Sequence, residues 1–156
     1  MSAEFSPCRR YRYALYRRWI GGAWTVNFIG LNPSTADETQ DDPTIRRCIG
    51  FAKSWGFSSL CMLNLFAFRA TDPRDMMAAT DPIGEDNDNA IALHVGKNPT
   101  IAAWGAGGWY RGRGPLIHSI YPQLMVLKLT KGGHPAHPLY LPKTLTPKEW
   151  KPCPSN

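Results

Sequence analysis

Several things are missing from this chain of 156 residues, and each absence removes a class of protein. No apolar stretch approaches the roughly 20 residues that cross a bilayer, so no membrane association is expected. The four cysteines, Cys8, Cys48, Cys61 and Cys153, never stand as Cys-x-x-Cys. That argues against a zinc knuckle or a disulfide framework, and for reduced thiols in a cytoplasm. The opening Met-Ser-Ala-Glu-Phe-Ser-Pro-Cys lacks the apolar core of a signal peptide. Repeats and separable linkers are absent too. The length therefore suits one domain over 1–156, with a core at about 11–142 and a proline-rich tail at 143–156. Such a chain buries roughly 70% of its unfolded surface.

Acid is also scarce: 12 Asp and Glu stand against 18 Lys and Arg, a formal charge of +6. Arg9, Arg10, Arg12, Arg17 and Arg18 cluster near the start. A basic surface favours polyanions through counterion release, which gives a nucleic-acid partner weight over a neutral metabolite. The plainer reading of the cluster is a solvated, charged edge strand.

What the sequence does have is a series of apolar runs stopped by polar exits. Tyr11 to Trp19 and Ala23 to Leu31 read as a β-hairpin about Gly21-Gly22. Asp42-Pro43 gives an N-cap followed by proline in the first helical turn, and Ile45, Cys48, Ile49, Ala52 and Trp55 then recur at helical spacing up to Gly56. Ser59 to Phe66 is a nearly continuous apolar strand. Asp72-Pro73 starts a short helix to about Ala79, and a further helix covers Glu85 to Val95. Thr100 to Trp104 is a strand halted by Gly105-Ala-Gly-Gly108. Leu116 to Tyr121 reads as helix or loop, and Leu124 to Leu129 as the last strand. Prolines 142, 147, 152 and 154 make the tail extended cover without a fold of its own. Strands alternating with helices predict an α/β three-layer sandwich, with a mostly parallel central sheet and an N-terminal antiparallel hairpin.

In such a sheet the strand exits share one edge, where ligands bind. Four constellations are candidates. In Gly30-Leu31-Asn32-Pro33-Ser34, the Asn32 amide would position a water or substrate group, while Gly30, Pro33 and Ser34 shape the turn. The plainer reading is a tight turn. In Asp41-Asp42-Pro43-Thr44-Ile45-Arg46-Arg47, Asp42 reads as the cap and Asp41 as a free carboxylate able to act as a base. Arg46 and Arg47 face either phosphate or solvent. In Asn64 to Pro73, Asn64 must satisfy its amide inside a buried strand, Phe66 or Phe68 can stack on a planar ring or fill the core, and Arg69 leaves along the same edge. In Lys131-Gly-Gly-His134-Pro-Ala-His137-Pro-Leu139, the stiffened loop presents two histidines that can stabilise a leaving group, with Lys131 beside them for phosphate. His94 and His118 fall on helices elsewhere, so no metal site is expected, and no cofactor.

Taken in order, these exits resemble the motifs of the uracil-DNA glycosylase superfamily over about residues 25–142. Gly30-Leu-Asn-Pro-Ser34 resembles its Gly-x-Asn-Pro-Gly turn. Asn64-Leu65 with Arg69-Ala-Thr-Asp-Pro73 resembles the segment that runs into Arg-Pro-Thr. His134-Pro135-Ala136 or His137-Pro138-Leu139 resembles the closing His-Pro-Ser. Gly-Leu-Asn-Pro-Ser-Thr-Ala-Asp, Asp-Pro-Thr-Ile-Arg-Arg, Asn-Leu-Phe-Ala-Phe-Arg and His-Pro-Leu-Tyr-Leu are also similar to a bacterial and phage family, a domain of unknown function.

The glycosylase resemblance implies that fold and hydrolysis of an N-glycosidic bond. Asn32 would hold the attacking water, and His134 or His137 would assist the departing base, which is drawn into the pocket from DNA or carried by a modified nucleotide. A monomer acting on nucleic acid is the corresponding expectation. A non-catalytic reader of a modified base and a structural or interaction protein are the alternatives.

Overall fold

The computed structural model describes residues 2–151. Their strands are β1 (Ser2–Phe5), β2 (Arg12–Arg18), β3 (Thr25–Gly30), β4 (Ser59–Asn64), β5 (Thr100–Ala102), β6 (Met125–Val126) and β7 (Lys148–Glu149). The α-helices are α1 (Pro43–Ser54), α2 (Pro73–Ala78), α3 (Asn87–Val95) and α4 (Arg113–Ile120). All seven strands form one mixed α/β sheet in the order β1-β2-β4-β3-β5-β6-β7.

β4 is buried along its whole length because it is covered on both faces. Its side chains alternate: Leu60 and Met62 join the cluster containing Ile45, Cys48 and Phe51 of α1, while Cys61 and Leu63 join Ile91 and Val95 of α3 and Ile117 of α4. This is period-2 burial between two helical layers. α1 forms where Asp42 accepts a hydrogen bond from the Ile45 N–H, Pro43 opens the first turn, and Gly56 takes a φ of 86° just beyond the end. Burial of Ile45 and Phe51 contributes about 1.5–3 kcal/mol each.

Two expectations need correcting. The sheet is not mostly parallel, since β3·β4, β3·β5 and β5·β6 pair parallel and β1·β2, β2·β4 and β6·β7 pair antiparallel. Nor do the runs either side of Gly21-Gly22 form a hairpin, because β4 lies between them. Backbone bonds from Trp19 N–H to the Ser58 carbonyl and from Ser58 N–H to the Trp24 carbonyl hold the start of β4 in that gap. The partner that β2 actually takes next in the chain is β1, with Ala3 opposite Leu15.

Two further differences follow. The tail, expected as extended cover without a fold of its own, also adds a strand to the sheet: β7 pairs with β6, and Trp150 packs at 5.6 Å from Trp104 and stacks at 3.6 Å on His118. Cys153, Pro152 and Pro154 lie outside the described residues. The strand expected over Leu124 to Leu129 keeps ladder pairing only at Met125–Val126, because the chain then turns to bond Thr130 and His134 to each other. No described helix is long and apolar enough to cross a membrane.

Being antiparallel to β4, β2 begins at the edge where β3 and β4 end. Arg12 N–H bonds the Ala67 carbonyl just past β4. An N-terminal residue is thereby placed among the strand exits.

Candidate functional site

At that edge lies a cleft of about 380 Å³. Its walls come from the exits of β3 (Gly30 to Ser34) and β4 (Asn64, Ala70, Thr71), the amino end of α1 (Asp42, Thr44, Ile45), Trp104 after β5, and His137, Leu139 and Tyr140. The residues expected in the Asn-Pro turn and in the second histidine-proline step therefore share one rim.

The exits are zipped together by backbone bonds. Leu65, Phe66 and Ala70 donate to the carbonyls of Gly30, Leu31 and Pro33. Within this frame the Asn32 Nδ2 donates to the Ala70 carbonyl at 2.8 Å and to the Pro33 carbonyl at 3.1 Å. The amide is thus fixed, and its Oδ1 makes no hydrogen bond among the described residues. It is left as an acceptor for water or ligand.

Asn64 is 1% exposed, and its Nδ2 has no partner among the described residues. The strand end that carries it is locked from behind, where Asn87 Nδ2 donates to the Asn64 and Leu65 carbonyls at 2.9 and 3.0 Å and Arg113 Nε to the Leu65 carbonyl at 3.0 Å. Glycine at position 30 leaves room for the Asn64 amide, because a Cβ would lie 2.9 Å from both Asn64 Oδ1 and Met62 Cε and would force those side chains to shift. Buried donors without partners cost free energy unless a ligand satisfies them.

His137 caps the short 3-10 turn Pro138–Tyr140, its Nδ1 accepting the Leu139 N–H at 3.2 Å. A backbone N–H can only donate, so Nδ1 carries no proton, and the neutral ring presents Nε2–H as a donor. Burial holds this imidazole below the usual histidine value, an effect that nearby Asp42 partly offsets. His94 and His118 are lowered by burial as well. Each unfolded ring takes up its proton near pH 6.5, whereas the folded ring resists until a lower pH. Their stabilising contribution is therefore complete above that value and is lost as pH falls through the folded pKa values. The melting temperature is expected to fall between about pH 7 and pH 5. The fall should be smaller in His137→Asn, whose side chain can keep the cap without titrating. A flat profile, or an identical one in the variant, would contradict this assignment.

Other expected site residues lie elsewhere. His134 does not reach the cleft; it sits over Gly132 in a second hollow of about 300 Å³ between α4, Trp104 and Trp150. Asp41 is not a free base, since its Oδ1 accepts from the Nε of buried Arg17 at 2.7 Å. Phe66 is fully buried against Tyr110, and Phe68 packs edge-on against Tyr11, so neither offers a stacking face to the cleft. Arg69 lies over the Phe5 ring and donates to the Arg9 carbonyl. Arg46 and Arg47 line a neighbouring groove with Lys143, where Arg47 fastens the histidine loop by donating to the Pro138 and Leu141 carbonyls. Lys131 is exposed outside the cleft. Among the described residues no three His, Cys, Asp or Glu side chains cluster as metal ligands would.

The sequence also concealed a principal site residue, Arg12. It is 2% exposed, lines the cleft, and among the described residues has a single side-chain bond, from Nη1 to the Ala36 carbonyl at 3.0 Å, and no partner for Nε. Burial pulls its pKa down to about 10, so it remains a cation at neutral pH. Its one signal in the sequence was a charge set between tyrosines in a strand pattern. Neither Arg12 nor Arg17 belongs to a solvated edge, because β2 lies inside the sheet.

The family model described as Protein of unknown function (DUF1643) matches residues 12–139. The chain belongs to that family. The matched span opens on Arg12 and closes on Leu139, two residues that both line the cleft. No curated protein and no solved structure matches this DUF1643 chain.

Proposed function

We propose that this protein hydrolyses the N-glycosidic bond of a nucleobase, common or modified. The observation that carries the reading is the meeting of Asn32, with its Oδ1 free, and neutral His137 across one cleft. The motif likeness to the uracil-DNA glycosylase superfamily supplies the reaction class. The cleft's size is in the range of small-molecule sites, and Leu31, Met62, Ile45 and Trp104 give it apolar wall for a planar ring.

In this reading Asn32 Oδ1 accepts a hydrogen bond from water and aims its oxygen at the sugar C1′. The Asp42 carboxylate takes the role first expected of Asp41. Oδ1 is occupied by the Ile45 N–H, and the other oxygen receives the water proton. The C1′–N bond breaks, its electron pair leaves with the base, and His137 Nε2–H donates a hydrogen bond to the base as charge develops. The departing base then takes a proton from solvent.

The direct test is to incubate the protein with oligonucleotides and free nucleotides bearing varied bases and to measure released base by chromatography. Free base and an abasic sugar in equal amounts are expected. No release at stoichiometric protein across the panel would overturn the proposal.

A further inference from the structure

Charge is unevenly distributed over the lining of this cleft. Arg12 is the only lysine or arginine among the lining residues, and it lies at the floor rather than the rim. No carboxylate approaches it within ion-pair distance, although Asp42 lines the same cleft. Asp42 acts on it only at longer range, and a buried guanidinium without a direct ion pair is costly to keep and points to a function. The unpartnered Asn64 Nδ2 is buried in the same walls. The amino end of α1 adds positive potential at Thr44.

The cations that would track a polynucleotide are placed differently. Arg69 rests on Phe5, Lys131 stands apart, and the Arg47 guanidinium is engaged with two carbonyls. A buried cation inside the cleft suits a phosphate carried in on a small molecule better than a phosphodiester running over the surface.

We infer that the cleft takes a free nucleoside monophosphate, whose phosphate pairs with the Arg12 guanidinium. The fit extends to the other polar walls: the Asn64 Nδ2, which has no partner among the described residues, can donate to an oxygen of the bound nucleotide. This inference rests on the reading of the cleft as a nucleotide site, but it does not require turnover.

The experiment is a binding comparison by calorimetry with the common deoxynucleoside 5′-monophosphates, the matching nucleosides, and a single-stranded oligonucleotide of mixed sequence. 2-Deoxyribose 5-phosphate against 2-deoxyribose serves as the probe independent of the base. Phosphate-bearing probes are expected to bind about ten- to a hundredfold tighter than their phosphate-free partners, as a charge-assisted pair allows. They should also shift the Arg12 Nε–H resonance in nitrogen-edited spectra of the native protein. In Arg12→Met the preference should vanish while the melting curve persists. If that variant does not fold, Arg12→Lys, with the charge but no Nε, should lose most of the preference.

Equal binding of each pair, no binding of any phosphate probe, or a folded Arg12→Met that keeps the preference would each overturn the inference. So would an oligonucleotide that binds more tightly than the monophosphates with a steep salt dependence, which would assign the cleft to a polynucleotide. Phosphate-dependent binding through Arg12 without base release would leave the inference standing and defeat the hydrolase reading alone.

Discussion

Asn32→Ala is expected to cut base release by about a hundred- to a thousandfold, the scale on which a positioned catalytic dipole is worth two to four kcal/mol. Ligand affinity should change far less, because Arg12, Asn64 and His137 remain in the cleft. The side chain also bridges to the Ala70 carbonyl, so a modest fall in melting temperature should accompany the change. Base release and binding measured on the same preparation separate the roles. A variant that still turns over within a few-fold would mean that Asn32 only shapes the loop. Unchanged binding by a native protein that releases no base would favour a reader over a hydrolase.

Arg17→Ala is expected to destabilise the fold by about 3 kcal/mol, within the range for breaking a buried charged network. Arg17 is 2% exposed, and its Nε donates to Asp41, its Nη1 to the Tyr16 carbonyl at 2.9 Å and its Nη2 to the Asp37 and Gln40 carbonyls. One side chain thus organises the loop between β3 and α1. For a chain of this size the loss corresponds to a melting temperature lower by roughly 6–12 °C. Asp41→Asn should cost less, because the carbonyl partners survive and the carboxylate is partly solvated. If both variants melted like the native protein, the loop would be held by something other than this arginine.

Much of the cleft's frame was legible because its signals are local. Asp42-Pro43 announces a helix start by capping chemistry, and Gly30-Leu-Asn-Pro announces a strand exit by turn chemistry; both stand where the spacing predicts. Strand order was not legible. Whether β2 pairs with β3 or admits β4 between them is decided by contacts between residues far apart in the chain, such as Leu15 opposite Met62, and no local pattern encodes that. Arg12 was hidden for a related reason, since an arginine in a strand normally reads as facing water. Asp41 and Asp42 were distinguished only in part. The cap was correct, but the task of Asp41 depends on Arg17, twenty-four residues away. His134 and His137 look alike in sequence because each precedes proline. They separate because Thr130 and His134 exchange hydrogen bonds across a tight turn, whereas the Leu139 N–H engages the His137 ring. For Phe66 and Phe68 residue type left stacking and core filling both open; packing decides for the latter, and Trp104 is the aromatic that lines the cleft.

Trp104 has its indole against Gly108, where a Cβ would come within 2.1 Å, and against Trp150, which itself lies flat on His118. The wall of the cleft is therefore buttressed by the chain's closing strand. An affinity tag or a truncation near Trp150, ordinarily chosen as harmless, would act on the shape of the cleft from the far side of an indole.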